Sequence, residues 1–356
     1  MKISQSREKL TIYWDDNTYH TFFYFWLKDN APKNRHKNGQ KLSLSSDVDL
    51  GIQPQSAKIE NDKLIVNWAD ETTVYPLSYL LDTQNKNPDK QTLWSKLSNY
   101  PLFNYPELAS NKVLMLKFLE HIKEFGFAYL VNIPSKSKKV LDIVSLFGFV
   151  RETNYGKYYD VIAQSNPENL ANTQLGLPPH TDNPYRNPTP TLQLLHCLKS
   201  DTKGGQTILV DGFNLAYTLK KEQPYYFKLL STNSVNFKFK TKEHWLENRT
   251  PIILTDTDNC VKSIKFNSRS IQPFCIDKNL MLNYYKAYQH FEKQVNNQKN
   301  QLHFTLKPTQ AIIYDNERIL HGRTAYTLQG DRHLQGCYTD KDALYSKLNI
   351  IKEQLQ

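Results

Sequence analysis

The stretch LQLLHCLKSDTKGGQTILVDGF, residues 192–213, holds two apolar runs, LQLLHCL and QTILVDGF, parted by a polar segment that ends in Gly204-Gly205. Short apolar runs bounded by turn residues read as strands. Toward the C-terminus the same signal recurs in VNFKFK (235–240), PIILT (251–255), SIKFN (263–267), HFTLK (303–307), QAIIYD (310–315) and HLQGCYT (333–339). One long helix, over about residues 278–298, interrupts them and carries Leu280, Leu282, Tyr285, Tyr288 and Phe291 on one side. Toward the N-terminus, residues 112–124 have helical spacing, Gly126 stops them, and 127–133 reads as a strand. Many strands, few helices and no doubly wound alternation predict a mainly β domain with flanking helices, of the sandwich or jelly-roll kind.

At 356 residues the chain is long enough for this domain and a smaller one. Residues 1–85 read as a small β module with strands at 10–14, 20–27, 63–68 and 73–75, and with Trp14, Phe23, Phe25, Trp26, Leu64 and Trp68 as its core. The polar stretch within 86–105, broken by Pro88, reads as a linker, so the large domain is assigned to 106–356. A hydrophobic share of 39% with 22 Tyr and 17 Phe argues against disorder. Cys197, Cys260, Cys275 and Cys337 stand apart without CxxC spacing, as in a reduced cytosolic protein. With no apolar leader and no membrane-length apolar run, the chain is expected to be cytoplasmic and free of membrane. The formal charge of +10 is spread among interleaved acids, so no nucleic-acid partner is expected, and Lys33, Arg35, His36, Lys37 and Lys41 read as a solvated loop.

The segment LPPHTDNP, residues 177–184, holds His180 and Asp182 two apart; alternate residues of an extended chain point the same way and can reach one ion together. Such a pair is also what an ordinary polar turn contains. A third ligand is available in His321, which follows the 311–314 strand. Two His and one carboxylate leave adjacent positions open on a ferrous ion, as non-haem oxygenases need for co-substrate and O2. Arg332, in the strand that follows, offers a bidentate fork for a dicarboxylate, although a lone Arg there could equally serve a surface ion pair. His196, inside LQLLHCL, reads as a satisfied barrel histidine, and His244, His290, His303 and His333 as structural.

These motifs, together with TYHTFFYFWLKDN (18–30), ETNYGKYYDV (152–161), ENLANTQLGLPPHTDNP (168–184), NERILHGRTAY (316–326) and DRHLQGCYTD (331–340), resemble the γ-butyrobetaine hydroxylase and trimethyllysine hydroxylase branch of the 2-oxoglutarate oxygenases. The resemblance implies a double-stranded β-helix domain, a small N-terminal β domain, a homodimer, and hydroxylation of an unactivated C–H bond of a small amino-acid or betaine-like substrate. It implies Fe(II) held by His180, Asp182 and His321, O2, and 2-oxoglutarate held by Arg332, with Thr207 either against the same carboxylate or an ordinary strand-edge residue. Because the acid of the HxD pair is present, no halide position is left, and hydroxylation is favoured over halogenation. Tyr155, Tyr159 and Tyr338 match aromatic walls of a cation cage. Asn169 and Asn267 match positions that bind the substrate carboxylate.

The chain also departs from the pattern. Asn172 stands where a Tyr is usual, which points to a less methylated amine, and Asn183 stands where Tyr or Leu is usual. The family's N-terminal zinc ligands fall on Ala31, Lys33, His36 and Thr72, so no zinc is expected. Two other readings remain: an oxygenase recruited to specialised metabolism and acting on a different amine or acid, by hydroxylation or desaturation, and a non-catalytic binding protein on the same fold.

Overall fold

The computed structural model describes residues 1–84, 91–162 and 173–355. The chain divides into two compact units, Met1–Pro88 and Asp89–Gln356.

The first unit is built from two three-stranded antiparallel sheets, Lys2–Gln5, Lys9–Tyr13 and Tyr19–Phe23 in one, and Ser56–Glu60, Lys63–Asn67 and Thr72–Pro76 in the other. The strand predicted at 20–27 ends at Phe23 and becomes the helix Tyr24–Asp29. Its buried residues, Tyr24 and Leu27, are three apart, so a helical turn and not an extended chain brings both inward. Strand alternation likewise buries Phe22 and leaves Phe23 42% exposed, which corrects its expected place in the core. Trp14, Leu64 and Trp68 are buried as expected, joined by Leu10, Ile12 and Tyr75, with Trp26 packed at the margin.

The second unit is a double-stranded β-helix. One sheet runs in the order Tyr159–Ile162, Tyr326–Thr339, Leu192–Gly204, Ala311–Asp315, Phe127–Val131 and Leu102–Asn104, with Val150–Arg151 added beside Tyr326–Thr339. The other runs Leu177–His180, Ile319–Arg323, Thr207–Asp211 and Leu302–Phe304. Alternation along Leu192–Gly204 divides its apolar residues between two cores. Leu192 and Leu194 join the helices Lys112–Phe125 and Lys341–Leu355 outside the first sheet, whereas Leu195 and Cys197 meet Leu209, Ile319 and Leu334 between the sheets. Val210 and Leu320, on the other side of the second sheet, pack beneath Gly212–Glu222, Pro224–Thr232 and Lys278–Val295.

Part of the stretch read as a linker is built into this unit. Trp94 is buried, its backbone N–H donates to Asp211 Oδ2 at 3.2 Å and its indole N–H to the Phe125 carbonyl at 2.8 Å, and Leu102–Asn104 is the parallel edge strand. Arg318 ties the same region to the second sheet, donating to both oxygens of buried Asp211 at 3.1 and 2.7 Å and to the carbonyls of Thr92 and Glu124. The long helix spans Lys278–Val295, and its buried face is Tyr284, Ala287, Tyr288, Phe291 and Val295. Leu282 and Tyr285, expected on that face, are exposed; the three-and-four spacing from Tyr284 captures the stripe better than spacing from Leu280. No described helix is long and apolar enough to cross a membrane.

Candidate active site

Strand pairing assembles the three candidate ligands. Leu177–His180 is the edge strand of its sheet, where Pro178 and Pro179 can lack N–H groups without breaking a ladder. It places His180 directly across from His321, their rings 4.5 Å apart. Gly322 permits this approach, because a Cβ there would lie 2.6 Å from the Leu177 carbonyl oxygen and 2.9 Å from Pro179 N. Asn316 then holds the turn that follows: it accepts from the Asp182 N–H at 2.7 Å and donates to the carbonyls of Asp182 and Pro190 at 3.0 and 2.9 Å.

Asp182 Oδ1 lies 3.3 Å from His180 Nε2 and 3.8 Å from His321 Nε2, and Oδ2 accepts from the Tyr338 hydroxyl at 2.9 Å. His180 Nδ1 must donate to the Pro178 carbonyl at 2.9 Å, which leaves the lone pair on Nε2, facing the other two ligands. Burial opposes the charge on Asp182, but His321, His180 and the Tyr338 bond outweigh it and hold the carboxyl well below the usual range. Burial, with His180 beside it, pushes His321 down to about 3, so its imidazole is neutral at physiological pH. Two imidazoles and a carboxylate, their ligand atoms all within 4.8 Å of one another, form the donor set that a divalent transition metal takes. Among the described residues no other group of three such side chains comes together.

The second sheet points Thr207, Leu209, His321 and Arg323 the same way, with Thr207 opposite Arg323 in register. Arg332, 8% exposed, stands 4.8 Å over the Tyr326 ring, and its Nη1 has no hydrogen-bond partner among the described residues. A buried guanidinium with an unanswered donor is a site for an anion. Arg323 lies 4.7 Å over the same ring and donates to the carbonyls of Thr173 and Leu175 at 2.7 and 2.8 Å.

Beside Tyr338 an aromatic cluster forms: Tyr159 is 5.3 Å from Tyr338, and Tyr155 is 6.3 Å from Tyr159. Gly336 makes room for Tyr159, whose hydroxyl accepts from Gln193 at 2.6 Å. Tyr185 extends the cluster with its hydroxyl 3.3 Å from that of Tyr155 and its ring stacked on Phe239 at 5.2 Å.

Residues 96–338 match the model of the "Taurine catabolism dioxygenase TauD, TfdA family", and residues 1–81 that of "Gamma-butyrobetaine hydroxylase-like, N-terminal". The chain belongs to the TauD/TfdA family, in its γ-butyrobetaine and trimethyllysine hydroxylase branch. It is 29% identical to gamma-butyrobetaine dioxygenase of Pseudomonas sp. (strain AK-1) over 96% of this chain and 94% of that one. Identity is 27% to the Homo sapiens gamma-butyrobetaine dioxygenase, over 98% and 95% of the two chains. It is 25% to the mitochondrial trimethyllysine dioxygenase of Bos taurus, over 94% and 84%. TauD/TfdA proteins of this branch are Fe(II)- and 2-oxoglutarate-dependent dioxygenases, and the HxD and distal His of that chemistry are the cluster found here.

Other residues expected at the site have partners of their own. Asn183 is buried in the left-handed region at φ 55°, and its Oδ1 accepts from Tyr185. Asn267 commits its amide to the backbone, donating to the Thr181 carbonyl at 3.1 Å and accepting from the Arg269 N–H at 3.1 Å. Asn169 and Asn172 lie outside the described residues. His196 is fully buried, and neither ring nitrogen has a hydrogen-bond partner among the described residues, so the satisfied histidine expected there is instead a neutral apolar filler whose pKa burial lowers to about 4. Arg323, Tyr326 and Arg269 were not singled out from sequence. Arg323 could have been, since it lies two residues past His321 on a strand; Arg269 reaches the site from a loop and leaves no periodic trace.

Proposed function

We propose that the chain is a hydroxylase in which His180, Asp182 and His321 hold Fe(II), Arg332 and Thr207 hold the far carboxylate of 2-oxoglutarate, and the substrate is a small amino-acid or betaine-like molecule. The observation that carries this reading is the meeting of the His180, Asp182 and His321 ligand atoms, and the buried Arg332 with an unanswered donor in the same unit supports it. When bound, iron and 2-oxoglutarate supply the oxidising power: O2 is divided between the substrate, as a hydroxyl, and succinate, with release of CO2. The protein's share is position. Pro178 orients the His180 ring, Asn316 fixes Asp182, and Tyr338 fills the outer carboxylate oxygen so that Oδ1 alone faces the imidazoles. Tyr155, Tyr159, Tyr185 and Tyr338 form the wall for the amine end of the substrate, and their packed rings exclude water from the reacting carbon. By the same resemblance the working form is proposed to be a homodimer, which its mass in solution would test.

Purified protein given Fe(II), 2-oxoglutarate and a panel of amines and betaines should form succinate, with one panel member gaining one oxygen atom. His180→Ala and His321→Ala should each abolish succinate formation, because each removes one of three protein ligands. Near-normal turnover in both variants would reject the proposed metal site.

A further inference from the structure

The loop after the strand Val261–Ile264 carries Arg269, an exposed residue whose tip turns inward until Nη2 lies 2.6 Å from His180 Nε2. Three hydrogen bonds register the loop to the ligand segment, and a fourth, within the loop, fixes Arg269. The Thr181 N–H donates to the Phe266 carbonyl at 2.7 Å, and the Phe266 N–H donates to the Thr181 hydroxyl at 2.9 Å. Asn267 bridges the Thr181 carbonyl and the Arg269 N–H. The backbone of Arg269 is therefore tied to the metal-ligand segment, and its guanidinium donates to the Nε2 lone pair that a metal would take, so a bound metal would displace it and leave its donors unanswered.

Charge balance shows what this cation lacks. The one carboxylate of the ligand set is Asp182; Arg269 touches His180, Arg323 shares a strand face with His321, and Arg332 lies with Arg323 over the Tyr326 ring. Asp182 and a dianionic co-substrate would offset a divalent ion and one arginine, Arg332. Arg323 rests on Tyr326 and on two backbone carbonyls. Arg269 has no ion pair among the described residues, so it is the cation left for a further anion. Its place supports the same conclusion. Arg269 touches one ligand, His180, while Tyr338, bonded to another, Asp182, begins the aromatic cluster.

We propose that Arg269 receives the carboxylate of the primary substrate, the role that the family resemblance gives to Asn267, and that the substrate spans from Arg269 to the tyrosines with its middle carbons over the metal face. Asn267 becomes the residue that positions Arg269. This inference rests on the proposed oxygenase reading, but its test does not use turnover. Protein loaded with Mn(II) and 2-oxoglutarate is titrated calorimetrically with 4-(trimethylammonio)butanoate and with the corresponding carboxamide, in wild type, Arg269→Gln and Arg269→Lys. A charge-assisted pair should make wild type prefer the carboxylate by roughly tenfold or more. Arg269→Gln should bring the ratio near one and Arg269→Lys should restore part of it, with 2-oxoglutarate affinity largely kept. The ratio of two ligands on one variant is unaffected by partial loss of fold or metal. A wild type with no carboxylate preference, including one that binds neither probe, would overturn the proposal. So would a preference retained in Arg269→Gln, an equal loss of both probes, or a fall in 2-oxoglutarate affinity as large as that for the carboxylate probe. Failure of the oxygenase reading would appear elsewhere, as absence of succinate from the iron-loaded enzyme.

Discussion

Arg332 and Arg323 flank one aromatic ring, Tyr326, at nearly equal distances, yet they are bonded differently. Arg323 spends Nη2 on two carbonyls, whereas Arg332 keeps a buried donor without a partner among the described residues. Burial lowers the pKa of the Arg332 guanidinium, but an arginine side chain keeps its charge in proteins, so it serves as a cation for the co-substrate. Arg332→Met should therefore raise the 2-oxoglutarate requirement by roughly ten- to a hundredfold, the worth of a buried charge-assisted pair, and leave much of the rate at saturating 2-oxoglutarate. Succinate release measured against 2-oxoglutarate concentration checks this; an unchanged requirement would move the role to Arg323. At this scale the sequence disclosed what sits on strands. His180, His321 and Arg332 lie on strands, where alternation puts every second residue on one face, and Asp182 follows His180 by two at the strand's end. Arg269 and Asn316 act from loops, where no period constrains direction, and could be found only once the chain was folded.

At the scale of elements, the placement of the ligands depends on how closely the Leu177–His180 edge strand lies against Ile319–Arg323. Gly322 sets that distance, since the nearest atoms to a Cβ there are backbone and cannot rotate away. Gly322→Ala should cost about 1–3 kcal/mol of stability by overpacking. It should also weaken Mn(II) binding measurably, because the strand that moves carries His180. Melting and metal affinity both equal to wild type would show that the strand separation is not controlled here. The apolar runs between 192 and 213 read correctly as strands because they are long and bounded by turn residues. The segment 20–27 did not, because YFWLKD is equally rich in residues that favour strands, and the choice of helix depends on Tyr24 and Leu27 finding one core. The Lys278–Val295 helix was legible in extent but not in facing, since exposed Leu282 and Tyr285 are indistinguishable from core residues until the sheet beneath is known.

For the whole molecule, two sheets with helices outside each explain why LQLLHCL reads as almost uninterrupted apolar sequence: both of its faces are covered, one by helices and one by the opposite sheet. The smaller unit raises a different question, whether a metal contributes to its fold. Three of the four positions where the resemblance would place zinc ligands are otherwise engaged. Ala31 lies fully in the core, Lys33 pairs with Glu71, and Thr72 donates to Asn67 at 2.7 Å. His36 alone could ligate, and a structural site needs four nitrogen or sulfur donors. Leu10, Ile12, Phe22, Leu64, Val66 and Tyr75 pack together, and the Tyr75 hydroxyl donates to the Leu27 carbonyl at 2.6 Å, so the unit is expected to hold without zinc. Treatment of the full chain with EDTA should therefore leave amide-exchange protection of Lys9–Tyr13, Tyr19–Phe23 and Lys63–Asn67 unchanged, even as it strips the metal from the second unit. Metal analysis of His180→Ala and His321→Ala should find no tightly held zinc. One zinc per chain retained in those variants, together with chelator-induced loss of protection in these strands, would mean that the unit is held by ligands other than the four positions considered.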